Sequence, residues 1–302
     1  MPADRLPPWV SSWASLAAPA TSISALLFYF GYVSARAQYQ YFGIDVDTAG
    51  LGTKDYIMRS PQPLLVPALA LTLAGTVTVL AHGRISTRVG TATASHDRRT
   101  LLRIHRLNRI ATATGLLALG TGVLLIVAYP ALRDWAPYDL VTPLVTAAGA
   151  ATVRYTSHIA NLIHRPRRSK RSVPTVRVLL YAIIAVNALW ATATAAQWSG
   201  RGLAQDVTQH LDTLPRVILD TKEPLFLRSP HVEETTLPGP ATQTYHYRYR
   251  GLRLLIVGHD RMFLVPESWS PSDSTLVIPI DDSVRIQFQF ENAGRSTDAA
   301  PG

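Results

Sequence analysis

The sequence predicts a membrane all-α bundle of five transmembrane helices followed by a small extracytoplasmic α+β domain. The first two-thirds of the 302-residue chain contain apolar segments long enough to cross a bilayer, and arginines concentrate in two of the loops between them. Beyond residue 200 the chain becomes polar and shows the alternation of β-strands. We therefore expect a five-span domain over residues 1–198, an external domain over 199–290 and a disordered tail over 291–302.

The five expected spans lie at about residues 13–33, 64–81, 110–129, 140–159 and 178–196. The fourth is the least apolar, because it is rich in Ala, Gly and Thr. The first is followed by Ala35-Arg36-Ala37, which has the small-x-small form of a signal-peptide cleavage site. Its apolar stretch exceeds the ~7–15 residues of a signal-peptide core, so we expect a retained helix.

Positive charge predicts the topology. Residues 82–109 carry seven arginines against the single Asp97, and His164–Arg177 contains no acidic residue. In a soluble chain the second run would indicate nucleic-acid binding, but between two spans it indicates a cytoplasmic loop. We expect no nucleic-acid partner, a cytoplasmic N-terminus and an external C-terminal domain. The basic side chains expected on anionic lipid headgroups are Arg98, Arg99, Arg103, Arg106, Arg165, Arg167, Arg168, Lys170 and Arg171.

Catalytic signatures are missing from the sequence. The chain has no cysteine, which excludes disulfides, thiolate catalysis and iron–sulfur clusters. It contains no nucleophile elbow, zinc-protease motif, P-loop or dinucleotide fingerprint. Asp45 and Asp47 begin a pattern like a calcium loop, but Ala49 and Tyr56 occupy positions that need oxygen ligands. We expect no catalytic residue, no cofactor and no metal, and an enzyme is the least favoured class.

Three polar residues inside the expected spans are candidate functional groups: Arg154, His158 and Asn187. Ionisable groups in a bilayer often serve ion paths or proton relays. Arg154 lies near the basic loop, so we prefer the interpretation that its side chain extends to the cytoplasmic headgroups. Asn187 is expected to bond to another helix. The small and hydroxyl residues of the fourth span could line a wet path or serve helix packing; they are Thr142, Thr146, Gly149, Thr152 and Thr156.

The external domain shows one helical and six strand-like segments. An amphipathic helix is expected over Gly202–Leu214, and Gly258–Asp260 is expected to form a hairpin turn. The strands are expected at Val217–Leu219, Leu225–Leu227, Thr244–Val257, Arg261–Val265, Thr275–Ile280 and Val284–Phe290.

One expected strand carries a candidate binding face. Alternation places Tyr245, Tyr247 and Tyr249 on one side and His246, Arg248 and Arg250 on the other. The functional interpretation is a platform for a lipid headgroup, glycan or peptide. The preferred interpretation is a strand with tyrosines in the core and a solvated basic face, because alternation alone produces this pattern.

Two parts of the chain resemble uncharacterised actinobacterial multi-pass membrane proteins that have an extracytoplasmic C-terminal domain. They are Tyr41–Asp45 with Lys54–Ser60, and Tyr247–Leu255 with Phe263–Trp269. The resemblance implies the architecture and no activity.

We expect a non-enzymatic protein of the cell membrane whose external domain senses or binds a protein or small ligand. Oligomerisation stays open. The alternative is a channel or permease that uses the fourth span and the first external loop.

Overall fold

The computed structural model describes residues 8–94, 98–163, 174–227, 229–240, 243–270 and 272–289, and in the first helix it describes side chains from Ala20 onward. The expected disordered tail lies outside these ranges. The chain divides into two compact units. Unit 1 combines Met1–Pro63 with Ala196–Gly302, and unit 2 is Leu64–Ala195.

The described residues form seven helices. They are α1 (Pro8–Tyr41), α2 (Thr53–Arg59), α3 (Pro61–Ala94), α4 (Arg98–Val127), α5 (Tyr129–Leu132), α6 (Tyr138–Ile163) and α7 (Pro174–Gln209). The predicted amphipathic segment and the third span together form the single helix α4. The predicted helix Gly202–Leu214 is the end of α7 followed by a 3-10 turn, Leu211–Thr213.

Three helical segments of the described residues are long and apolar enough to cross a membrane, and they lie within α3, α4 and α7. The expectation of five such helices is therefore not supported, for two different reasons. Helix α6 contains Arg154 and His158 among small and hydroxyl residues, which lowers its hydropathy. In α1 the expected span over residues 13–33 begins before the described side chains do.

Helices α4 and α6 pack closely in unit 2. A Cβ atom on Gly149 would lie 2.7 Å from the backbone nitrogen of Leu119 and 2.9 Å from the carbonyl oxygen of Gly115, and one on Gly122 would collide with Thr146. Backbones approach this closely only where side chains are small. The small residues of α6 at this contact therefore serve helix packing.

The C-terminal part of the chain forms a six-stranded antiparallel sheet. Its strands are β1 (Arg216–Thr221), β2 (Glu233–Thr236), β3 (Tyr247–Val257), β4 (Arg261–Pro266), β5 (Leu276–Pro279) and β6 (Val284–Gln289). The order is β5-β4-β3-β1-β6, and β2 pairs with the first part of β3. Five predicted strands and the turn at Gly258–Asp260 are confirmed. The strand predicted at Leu225–Leu227 is wrong, and β2 was not predicted.

One hydrophobic core joins this sheet to the first loop. We call it the loop–sheet core: Phe42, Ile44, Val46 and Ala49 of the first loop, Tyr39 of α1, Ala204 of α7, and Ile256, Phe263, Val265 and Trp269 of the sheet domain, all buried. The rings of Phe42 and Trp269 lie 4.9 Å apart, and the Thr275 hydroxyl donates to the carbonyl oxygen of Phe42 at 2.7 Å. Residues of Tyr41–Asp45 and of Phe263–Trp269 thus meet in this core.

A second hydrophobic core, the distal core, contains Val217, Leu219, Tyr249, Leu252, Met262, Leu264 and Ile278. It includes residues on both sides of a bulge in β3, where Gly251 has a φ of +81°. A Cβ at Gly251 would lie 2.5 Å from the carbonyl oxygen of His231. The bulge restores the inward direction of Leu252 after Tyr249, so both side chains are buried.

Candidate functional site

One residue of the basic face predicted on β3, Arg248, is paired with a carboxylate inside the sheet. Asp220 of β1 pairs in register with Arg248 of β3 on one side and with Arg285 of β6 on the other. Its carboxylate is fully buried. It accepts bonds from Arg248 at 2.8 and 3.1 Å and from Arg285 at 2.5 and 3.1 Å. We call these three residues the ion triad.

The two arginines of the ion triad keep the Asp220 carboxylate ionised. Hydrogen bonding to Arg248, followed by that to Arg285, holds the pKa of Asp220 below its ordinary value despite burial. The guanidinium of Arg285 also lies 5.1 Å from the centre of the Tyr245 ring. Arg248 is therefore engaged within the sheet, and its charge is not available to an external anion.

The two tyrosines of the same strand, Tyr247 and Tyr249, both belong to the distal core. Tyr249 is fully buried in the distal core, and its phenol oxygen accepts a hydrogen bond from the backbone N–H of Leu225 at 2.7 Å. Tyr247 packs against the same core. This geometry favours the structural interpretation for both. Binding at His246, which is half-buried, and at Arg250, which is exposed, stays a prediction.

A cleft of about 380 Å³ opens beside the distal core, between the loop after β1 and the loop after β4. Its apolar lining is Phe226, Leu227, Pro230, Val232, Pro266 and Leu276, and its polar lining is Ser229, Ser272, Asp273 and Ser274. This size and mixed lining are typical of a small-molecule site. No residue of the cleft was among the predicted site residues.

Phe226 stands at this cleft in an unusual conformation. Its φ is +50°, in the left-handed region that a bulky side chain rarely adopts, and 79% of its surface is exposed. The cause is local. Leu225 and Leu227 both pack against the distal core, and Tyr249 holds the backbone of Leu225. Phe226 is thereby turned away from the core. Strain of this kind at an exposed aromatic residue points to function.

Asp273 supplies the carboxylate of the cleft. Its Oδ2 atom accepts hydrogen bonds from the backbone N–H and the hydroxyl of Ser270, both at 2.8 Å. These bonds hold its pKa below the ordinary value, so the group is charged at neutral pH. Among the described residues that line the cleft there is no Lys or Arg. The carboxylate of Asp273 can therefore accept hydrogen bonds from hydroxyls or from cations.

The polar residues of unit 2 cluster in pairs. The Arg154 guanidinium lies 5.2 Å from the centre of the Tyr181 ring, and the rings of His82 and His158 lie 5.4 Å apart. Asn187 donates to the carbonyl oxygen of Ile183 in its own helix at 2.8 Å. The predicted bond from Asn187 to another helix is thus not the one observed. Its Oδ1 atom is buried and accepts no bond from the described residues.

Of the residues expected on anionic headgroups, Arg98, Arg99, Arg103 and Arg106 lie in the first turns of α4. The others lie outside the described residues: Arg165, Arg167, Arg168, Lys170 and Arg171. The described part of the chain contains no group of His, Asp and Glu that could hold a metal ion. Neither a protein family nor a curated protein nor a solved structure matches the chain.

Proposed function

We propose that this chain is an integral protein of the cell membrane whose C-terminal domain lies outside the cell and binds an uncharged saccharide in the cleft at Phe226. The observation that carries the proposal is the strained and exposed Phe226 ring beside a cleft lined by serine hydroxyls and one carboxylate. A saccharide presents hydroxyls to such acceptors and an apolar ring face to an aromatic side chain. Binding without chemistry agrees with the missing catalytic motifs.

The loop–sheet core supports the five-span topology that we propose. Phe42 and Trp269 belong to one core and must lie on the same side of the membrane. The chain between them contains α3, α4 and α7, and three crossings would put Phe42 and Trp269 on opposite sides. A fourth crossing by α6 makes the number of crossings even and returns Trp269 to the side of Phe42. Its 26 residues rise about 39 Å, which is enough for a bilayer core of about 30 Å.

The same arrangement weakens the channel alternative. The hydroxyl and glycine face of α6, which was the candidate pore lining, contacts α4 at Gly149 and Thr146. Orientation follows from the basic residues of the second and fourth loops, which favour the cytoplasmic side. With α1 as the first of five spans, the N-terminus is then inside and the cleft is outside.

The topology is tested by labelling single introduced cysteines with a membrane-impermeant maleimide. The chain has no cysteine of its own, so only the introduced residue can react. Thr235→Cys, on the fully exposed strand β2, should react in intact cells. Ser169→Cys, in the basic loop, should react only after the membrane is opened. Reversal of the two results would refute the orientation. Reaction of both in intact cells would mean that α7 does not cross the membrane and would refute the five-span topology.

Binding is tested by calorimetric titration of the full-length protein with maltotriose and chitotriose. The detergent must lack a sugar headgroup, since a glucoside or maltoside would compete. We expect heat of binding with the wild type and at least a tenfold weaker affinity for Phe226→Ala. The control Phe288→Ala removes another exposed phenylalanine (57% exposed, against 79% for Phe226) from β6, away from the cleft. Equal loss in both variants, or no heat with either sugar, would refute saccharide binding.

A further inference from the structure

A groove in unit 2 has the character of a lipid site. It encloses about 260 Å³ and lies between α3, α4 and α6. Its walls are the apolar side chains of Ile85, Val89, Ile104, Leu107, Ala111 and Ile159. In a membrane, an open apolar groove of this kind is filled by hydrocarbon, because neither water nor a polar group is stable there.

Polar groups complete the lining of this groove. Arg88, Asn108, Tyr155 and Thr156 line it together with the apolar wall. The Arg88 guanidinium is exposed and forms no ion pair with any residue in the described ranges. The Asn108 amide is half-buried, and within the same ranges its side chain makes no hydrogen bond. An unpaired cation beside an amide donor is a suitable contact for a phosphate group.

The surroundings of the groove strengthen this charge preference. Arg88 belongs to the stretch over residues 82–109, in which Asp97 is the one acidic residue among seven arginines. Basic pockets between transmembrane helices near the cytoplasmic side bind anionic lipid headgroups. A zwitterionic lipid gains less from such a field, because its own cation is repelled.

We propose that this groove holds one anionic phospholipid, with an acyl chain along the apolar wall and the phosphate between Arg88 and Asn108. The proposal rests on the membrane location proposed above and is independent of the saccharide cleft. It differs from general attraction of arginines to headgroups, because it assigns one bound molecule to one groove.

The experiment uses the full-length protein, purified in a nonionic detergent and given equimolar phosphatidylglycerol and phosphatidylcholine with identical chains. Native mass spectrometry counts the retained lipid molecules. The wild type should retain phosphatidylglycerol in preference, and Arg88→Gln should lower that retention about fivefold, the factor that corresponds to one basic residue near an anionic lipid.

Two further variants separate a site from general electrostatics. Arg84→Gln removes the same charge one helical turn away, from an exposed residue that does not line the groove, and should retain lipid like the wild type. Ala111→Trp keeps every charge and fills the groove, and it should lower retention of the lipid.

Equal effects of Arg84→Gln and Arg88→Gln would overturn the proposal, as would full retention by Ala111→Trp. Circular dichroism of each variant identifies loss of fold. Recovery of the wild type without detergent would instead refute the membrane location itself.

Discussion

The substitution Asp220→Asn tests the ion triad. Asparagine keeps the shape of the side chain and removes its charge, so Arg248 and Arg285 would share a buried neutral amide. The two cations would then lose their common partner in the middle of a sheet. Loss of one member of a buried ion pair costs much more than loss of an exposed one, because the remaining charge stays poorly solvated.

The size of the effect follows from exposure. Removal of one partner of a fully buried pair costs about 3–5 kcal/mol. The carboxylate is fully buried, but the side chains of Arg248 and Arg285 are 23% and 48% exposed, so water compensates part of the loss. We expect the free energy of unfolding of the sheet to fall by about 2–3 kcal/mol, which is a factor of roughly 30–150 in the opening equilibrium.

Hydrogen exchange of the full-length protein in detergent measures this change. Peptides from β1 and β6 should exchange about 30- to 150-fold faster in Asp220→Asn, in the regime where exchange reports the opening equilibrium. The matched control is Asp260→Asn. Asp260 forms the same kind of bidentate contact with Arg261, but its side chain is 63% exposed, whereas that of Asp220 is fully buried.

The control should leave exchange in β1 and β6 unchanged within error. If Asp220→Asn changes exchange no more than the control does, the triad contributes nothing to stability and our reasoning is wrong. Fast exchange confined to β6 would place the energetic coupling in the Arg285 contact alone.

Three other predictions concern pH, helix packing and backbone strain. Because the pKa of Asp220 is lowered on folding, its contribution to stability is present at neutral pH and is lost as pH falls below the ordinary value of 3.8; acid-unfolding curves of Asp220→Asn should lack this component. Gly200→Ala places a methyl group against the carbonyl oxygen of Ser34 and should speed exchange in α1, whereas Gly202→Ala meets no atom within 4 Å and should not. Phe226→Gly relieves the left-handed conformation, so the free energy of unfolding should stay unchanged or rise by at most about 1 kcal/mol, measured by thermal unfolding. The same variant should bind saccharide more weakly in calorimetry.

The strands were predictable where side chains alternate between core and solvent. Strands β1, β3, β4 and β5 each bury some of their apolar residues, β6 packs Val284 and Ile286 against the distal core, and all five were located from the sequence. Strand β2 was missed because Glu233–Thr236 has no apolar residue, and all four positions are exposed. Its conformation comes from backbone pairing with β3, for which single-sequence patterns contain no signal.

The cleft was not predictable for a related reason. Leu225-Phe226-Leu227 has strand-like composition, and nothing local indicates that Phe226 turns outward with a positive φ. That conformation depends on Tyr249, which is 24 residues away in the chain. The same holds for Arg248, whose basic character was evident while its buried partner Asp220 was not. Sequence reasoning identified the residue types and could not identify their partners.

The discontinuous composition of unit 1 has a consequence for biosynthesis. The hydrogen bond from Thr275 to Phe42 joins residues 233 positions apart. The first loop is therefore synthesised before all of unit 2 and cannot pack against the sheet domain until unit 2 is complete. At ordinary translation speed this interval is roughly 10–50 s. During it Phe42 and its apolar neighbours have no core to enter and are candidates for chaperones. On the membrane topology proposed above, closure of the domain would act as a checkpoint, since a chain with one helix inserted the wrong way could not bring Trp269 to Phe42 and would leave both exposed to quality-control proteases.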